Sequence, residues 1–312
     1  MTLYTRGYRR HEDGFQARTL RFGPIFVQGY REAVRSKAFR RLMSLFTVIL
    51  IVHCMMYYFN PDQFVRRLSG VARPGGASSA ETLRASVASL LGALRWLSPL
   101  LVLFVGSGLV ADDLRARALP LYLVRPITPA DYWLGKWLIP AAVLGVAVLL
   151  PLLVLLVFGV MLEPSDQVVA FAGEQGRVAL AILAAYAACA VAYGSLVVLL
   201  STVAGRRTPA LVLGAAAIYG APVIVSLALG ASVIGRHGHP AAATTGLLDL
   251  VKTIWLPMDV ASIFHAVSGA PIEPDDVAAM PDPWSAFGML VLLFLLAAFV
   301  VIRRARTVEV VA

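Results

Sequence analysis

The sequence is dominated by apolar runs close to 20 residues long, separated by short charged or turn-rich segments. A helix of about 20 apolar residues crosses roughly 30 Å of hydrocarbon. Six such runs can be read: about Leu42–Tyr58, Leu90–Ala111, Tyr132–Leu162, Val178–Ala204, Leu211–Ile234 and Trp284–Ile302. Composition closes off a soluble fold, because 59% of the residues are hydrophobic and 14% charged, where soluble domains carry about a quarter charged. The expectation is an all-α membrane protein with six transmembrane helices. The third run is long enough to tilt or to project from the bilayer. Pro99, Pro140, Pro151 and Pro222 fall inside runs and are expected to kink them, which helix bundles tolerate.

The distribution of charge orients the bundle. Nineteen of the 27 Lys and Arg residues fall in segment 1–41, the 112–136 loop, the pair Arg206–Arg207 and the C-terminal tail. The last long loop instead collects acids: Asp249, Asp259, Glu273, Asp275, Asp276 and Asp282. Positive-inside bias places both termini and the 112–136 loop in the cytoplasm, and an even number of spans agrees. The net charge of +9 is then a topology signal and an attraction to anionic lipid, not a nucleic-acid footprint. The first 41 residues are Arg-rich without an apolar core, so no cleavable signal peptide is expected. Three regions follow: 1–41, a cytoplasmic segment; 42–302, the six-helix membrane domain; and 303–312, a cytoplasmic tail. All acidic residues are expected in loops or at span ends.

After Gly23–Pro24, apolar residues Phe26, Tyr30, Ala33/Val34 and Ala38 recur at helical spacing, flanked by Arg31, Arg35, Arg40 and Arg41. That pattern suits a helix lying in the membrane interface. It reads equally as a basic stop before the first span. Residues 60–88 are expected to form an outer loop, turn-rich at Arg73–Ala80. In the second outer loop, 235–283, the stretch 247–267 is apolar but broken by Asp249, Lys252, Pro257 and Asp259. It suits a re-entrant or interfacial helical segment better than a seventh span.

The most informative stretch is 110–138. Asp112 and Asp113 sit where a helix starts and carboxylates complement its dipole. Arg115 and Arg117 follow, and Pro126 is expected to end the helix near Arg125. Thr128-Pro129-Ala130-Asp131 then reads as an N-cap, a proline at the first helical position and a carboxylate two positions on, a close variant of the capping box. Lys136 falls near the base of the third span.

The run Asp112-Asp113-Leu114-Arg115, then Leu121-Tyr122-Leu123, Arg125-Pro126-Ile127, Tyr132 and Gly135-Lys136 resembles the first cytoplasmic loop of ABC-2 type transporter permeases. Many members carry Glu-Arg…Gly-Thr where this chain reads Asp113-Leu114-Arg115-Ala116-Arg117-Ala118. The resemblance implies six spans, an N-terminal interfacial helix, a cytoplasmic coupling helix and an outer re-entrant segment before the last span. It implies a permease dimer, homomeric or heteromeric, in the cytoplasmic (inner) membrane, served by two copies of an ABC ATPase subunit. It also implies export, with the first, second and fifth spans along the pathway. Asp112, Asp113, Arg115, Arg117 and Arg125 are the positions expected to face the ATPase or brace the loop. The alternative is a membrane scaffold, assembly factor or secondary carrier that needs no ATPase.

Other motifs carry less. No G-x-x-x-x-G-K-[ST] loop is present, so ATP hydrolysis would belong to a separate subunit; no H-E-x-x-H or G-x-S-x-G occurs, and no cofactor is expected. His53-Cys54-Met55-Met56 has soft-metal chemistry, but successive helix residues diverge by about 100°, so one copy cannot wrap an ion. His237-Gly238-His239 lacks a nearby third ligand. Cys54 and Cys189 both fall in apolar runs and form no disulfide framework. Arg95, near the outer end of the second run, is a pathway candidate whose long stem would equally let it snorkel outward. Ala184, Ala188 and Ala192, with Ala190 and Gly194, give the fourth run a small-residue face suited to close helix packing.

Overall fold

In hydrocarbon every backbone polar group must be satisfied within its own segment, which leaves helices or closed barrels. The structure, a computed structural model, describes residues 21–60, 78–118, 127–163, 168–220, 256–269 and 281–309, and its regular elements there are helical. Five of the described helices are long and apolar enough to cross a bilayer: Lys37–Tyr58, Ser79–Arg115, Pro129–Met161, Gly176–Ala204 and Pro283–Arg306. Of the remaining expected span, about Leu211–Ile234, the structure describes helix from Arg207 to Gly220, and residues 221–234 lie outside the described set.

Local chemistry sets where these helices begin. Helix α1 (Gly23–Arg35) opens on Pro24. Ser36 then turns extended, and its hydroxyl accepts from the Phe39 amide at 3.1 Å, so α2 (Lys37–Tyr58) starts five residues ahead of the expected Leu42. Helix α3 (Ser79–Gly106) is longer still at its start. A full capping box at Ser78 and Glu81 begins it eleven residues before Leu90, so 79–88 is helix where a loop was expected. The polar residues Glu81, Arg84, Ser86 and Ser89 hide those turns from a hydropathy reading. After the short α4 (Ala111–Arg115), the third span α5 (Pro129–Met161) starts at the expected Thr128 cap. Thr128 accepts from the Asp131 amide, and the Asp131 carboxylate accepts from the Thr128 amide, each at 3.1 Å.

Two spans widen locally instead of simply bending. In α5, Gly145–Leu149 is a π-turn that ends two residues before Pro151. Pro151 has no N–H to give to the preceding turn, and a widened turn absorbs that loss. After α6 (Val168–Glu174), the fourth span α7 (Gly176–Ala204) widens at Ala190–Gly194 and stops at Gly205, whose φ of 60° suits glycine. Helix α8 (Arg207–Ala215) follows at once.

The described part of helix α9 (Leu256–Ser268) has 13 residues, about 20 Å of length. It packs on α7, α3 and the last span α10 (Pro283–Glu309), with Val260 and Phe264 fully buried. Residues 247–255 of the expected re-entrant segment lie outside the described set.

The core lies among α3, α5, α7 and α9. The small-residue face of α7 is used here: Ala188, Ala190, Ala192 and Gly194 are buried. By contrast α2 is only 11% buried across its most apolar window, which makes it a peripheral helix facing lipid or another chain.

Candidate functional site

The basic end of the bundle gathers α1, the 107–118 turn, the start of α5 and the ends of α7 and α10. An apolar base joins them: Ile25, Val110, Tyr132, Trp133, Val198 and Val301 are buried together. Helix α1 reaches α5 through two reciprocal contacts. A Cβ on Gly29 would collide with the Ile139 side chain, and one on Gly135 would press on Ile25 and the Phe22 carbonyl at 3.1–3.2 Å. Glycine at these positions is what lets the two helices approach.

The turn itself is shorter than expected. Helix α4 ends at Arg115, and Arg117 adopts a left-handed φ of 50°, which terminates it. The helix thus stops about ten residues before Arg125, ended by backbone geometry at Arg117 and not by Pro126. Residues 119–126, including Arg125, lie outside the described set.

The four described candidates divide by the side they face. Asp113 turns inward, where its carboxylate takes an ion pair from Lys136 Nζ at 2.7 Å and a hydrogen bond from the Tyr132 hydroxyl at 2.8 Å. Lys136 is 8% exposed, so this charge pair is largely withdrawn from water. Leu114 packs against the apolar base. Asp112, Arg115 and Arg117 are exposed. Asp113 therefore braces the turn, and the other three form its outward charged face.

A second fastening comes from the fourth span, at a residue the sequence did not single out. Ser201 is fully buried. Its hydroxyl accepts from the amides of Val110 and Ala111 at 3.1 and 2.9 Å and donates to the Ser107 carbonyl at 2.9 Å. It thereby satisfies backbone groups freed where α3 breaks into α4. A serine in an apolar run carries no signal of such a role, since its partners lie some 90 residues away. Ser201→Ala is expected to lower stability by about 2–3 kcal/mol, because two buried amides lose their acceptor. Thermal unfolding in detergent reads this; an unchanged midpoint would refute the fastening.

The sequence profile described as ABC-2 family transporter protein matches residues 24–303. The chain belongs to the ABC-2 transporter family. No curated protein matches it. The match spans the described spans and the charged turn alike, so the residues that carried the resemblance now have structural roles in an ABC-2 protein. Asp113, Tyr132 and Lys136 form the brace, and Gly135 admits α1.

The other candidates of this ABC-2 protein fall elsewhere. Arg95 is not near the outer end of its helix. It lies sixteen residues from Ser79, about 24 Å along α3, and is 8% exposed, so it does not snorkel into water. The earlier start of α3 is the reason. The Tyr193 hydroxyl donates to the Arg95 carbonyl at 3.1 Å, and Tyr219 donates to the Trp96 carbonyl at 2.6 Å. Asp259 lies within electrostatic reach of Tyr193. It is fully buried on α9, and neither carboxylate oxygen has a hydrogen-bond partner among the described residues. This corrects the expectation that every acid sits in a loop or at a span end. The cause is tertiary: α9 docks onto the bundle and carries Asp259 inward.

His53 turns to its own helix, Nδ1 lying 2.9 Å from the Ile49 carbonyl, with Nε2 at 3.5 Å from the Ser89 hydroxyl. Met55 and Met56 are exposed, so the four residues do not converge. Among the described residues no three His, Cys, Asp or Glu side chains gather as a metal site. His237 and His239 lie outside the described set.

Proposed function

We propose that this chain is the permease subunit of an ABC exporter, powered by ATP that a separate subunit hydrolyses. In this reading the chain has six spans and sits in the cytoplasmic membrane with both termini in the cytoplasm. Two permease copies and two ATPase subunits make the working unit. The three-part division of the chain, with 1–41 and 303–312 cytoplasmic, follows from the same topology. Arg95, buried in α3, is a candidate for the pathway.

The observation that carries the reading is the braced charged turn. Force from a soluble motor is transmitted only by an element that does not yield. The 107–118 turn is held by Asp113 to α5 and by Ser201 to α7. It offers Asp112, Arg115 and Arg117 outward, and Arg125 follows in the same loop. Strain applied at the turn therefore passes directly into two spans.

Reversing Arg115 and Arg117 to glutamate is expected to lower ATPase capture and ATP turnover more than tenfold while leaving the fold intact. Close charge pairs across an interface are worth about 1.5–7 kcal/mol, and both residues are exposed before docking. The measurement is co-purification with a co-expressed P-loop ABC ATPase, followed by turnover in nanodiscs. A stable complex with normal turnover would sink the assignment.

A further inference from the structure

The basic end holds a cavity of about 710 Å³ that shares Asp112 and Arg115 with the charged turn and otherwise lies outside the proposed ATPase face. Three separate elements wall it: the α4 turn, the α7–α8 junction and the end of α10. Four arginines line it, Arg115, Arg206, Arg207 and Arg304, together with Thr208, and Asp112 is the acid among its described lining residues. Two of them are aimed by the backbone. Arg207 donates to the Phe104 carbonyl at 3.0 Å, and Arg304 donates to the Thr202 carbonyl. Helix α8 begins inside the cavity with Arg206 as its N-cap and no side-chain cap on its first turn. Its amides add to the same positive field.

What adjoins the cavity separates its possible occupants. Val212 and Leu213 stand one helical turn beyond Thr208 and Pro209, on the same face of α8. Phe104, whose carbonyl holds Arg207, and Val203, at the end of α7, are exposed like Val212 and Leu213. An anion socket thus opens onto an apolar track leading into the membrane. A soluble anion would use the socket and leave the track bare. A phospholipid uses both.

We propose that this cavity binds the phosphate headgroup of an anionic phospholipid from the leaflet that meets the basic end, with an acyl chain lying along α8. The volume lies within the ~300–1,000 Å³ of ordinary ligand clefts. Several arginines fixed at span ends are the chemistry that holds lipid phosphates. The bound lipid bridges α4, α8 and α10, and so stiffens the turn from its outer side, as Asp113 and Ser201 do from within. The proposal needs only that the chain lies in a bilayer, and it stands or falls separately from ATPase coupling.

The test uses the full chain alone, in neutral detergent, titrated with dioleoylphosphatidylglycerol or dioleoylphosphatidylcholine. Thermal unfolding and native mass spectrometry read the binding. The phosphatidylglycerol is expected to raise the melting temperature and to remain bound in flight, and the phosphatidylcholine to do neither. R206Q/R207Q is expected to weaken phosphatidylglycerol binding about 30-fold, since each arginine near a charged surface contributes about 1 kcal/mol, or about fivefold. R206K/R207K keeps the charge and is expected to recover most of it. If the glutamine variant unfolds early in phosphatidylcholine, lipid retained per folded molecule in the mass spectrum gives the answer. Equal retention by wild type and the glutamine variant overturns the proposal. So does full displacement by millimolar inorganic phosphate, which would make this a soluble-anion site. Normal lipid retention with lost ATPase capture would assign the face to the partner instead.

Discussion

Asp113→Ala is expected to destabilise the protein by about 3–5 kcal/mol and to uncouple it from any ATPase. The size follows from what the substitution leaves behind. Lys136 keeps its ammonium, with its side chain 10% exposed, and Asp113 is the carboxylate that neutralises it. Breaking a buried pair from one side is far costlier than replacing the pair, because a lone charge stays out of water. Tyr132 also loses the acceptor of its hydroxyl. Asp113→Asn separates these effects: it can still accept from Tyr132 but cannot neutralise Lys136, so most of the cost is expected to remain. The double substitution Asp113→Leu with Lys136→Met is expected to recover most of the stability. Thermal unfolding of the wild type, Asp113→Leu, Lys136→Met and the double variant completes the cycle. If the double variant is as unstable as the sum of the singles, the residues do not act as a pair. The coupling loss should persist in the stable double variant, because an apolar contact slides where a 2.7 Å ion pair holds position.

The same pair shows how far sequence alone reaches. Five of the spans, the Thr128 cap and the N-terminal helix were legible because each rests on local chemistry: apolar length, a hydroxyl at a helix start, a repeat of helical period. The charged turn was legible as a motif, and its family resemblance was correct. Its division into a bracing Asp113 and an outward Asp112 was not, because that depends on which way a five-residue helix is rolled against α5. The start of α3 was missed by eleven residues although its capping box was present. Hydropathy weighs Glu81 and Arg84 as loop residues, whereas in a helix that projects past the bilayer they cost nothing. That error also misplaced Arg95. Ser201 and Asp259 had no local signal, since each acquires its role from helices distant in the chain.

Asp259→Asn is expected to stabilise the protein, and by an amount that depends on pH. Asp259 is fully buried on α9, and its carboxylate oxygens have no hydrogen-bond partner among the described residues. Burial pushes its carboxyl up to about 8 from an ordinary value of 3.8. An acid raised in the folded state binds its proton more tightly there than in the unfolded chain. Stability is therefore full below the unfolded value and declines as pH rises from about 4 toward 8. Asparagine has no proton to lose, so its stability is flat across that window. The two proteins are expected to unfold at similar temperatures near pH 4, with the variant ahead by about 2–4 kcal/mol near pH 8, a magnitude set by the cost of a buried unpaired carboxylate. Melting curves at pH 4, 6 and 8 decide it. Parallel curves would mean that Asp259 is neutral throughout or is met by a counter-charge on the neighbouring helices. Asp259 lies within electrostatic reach of Tyr193, whose hydroxyl donates to the Arg95 carbonyl, which places it beside the proposed pathway residue. Transport measured for the same variant at pH 6 and 8 then separates a passive acid from a working one: a passive acid yields a stabler protein with unchanged turnover, and a working one yields a stabler protein that transports less.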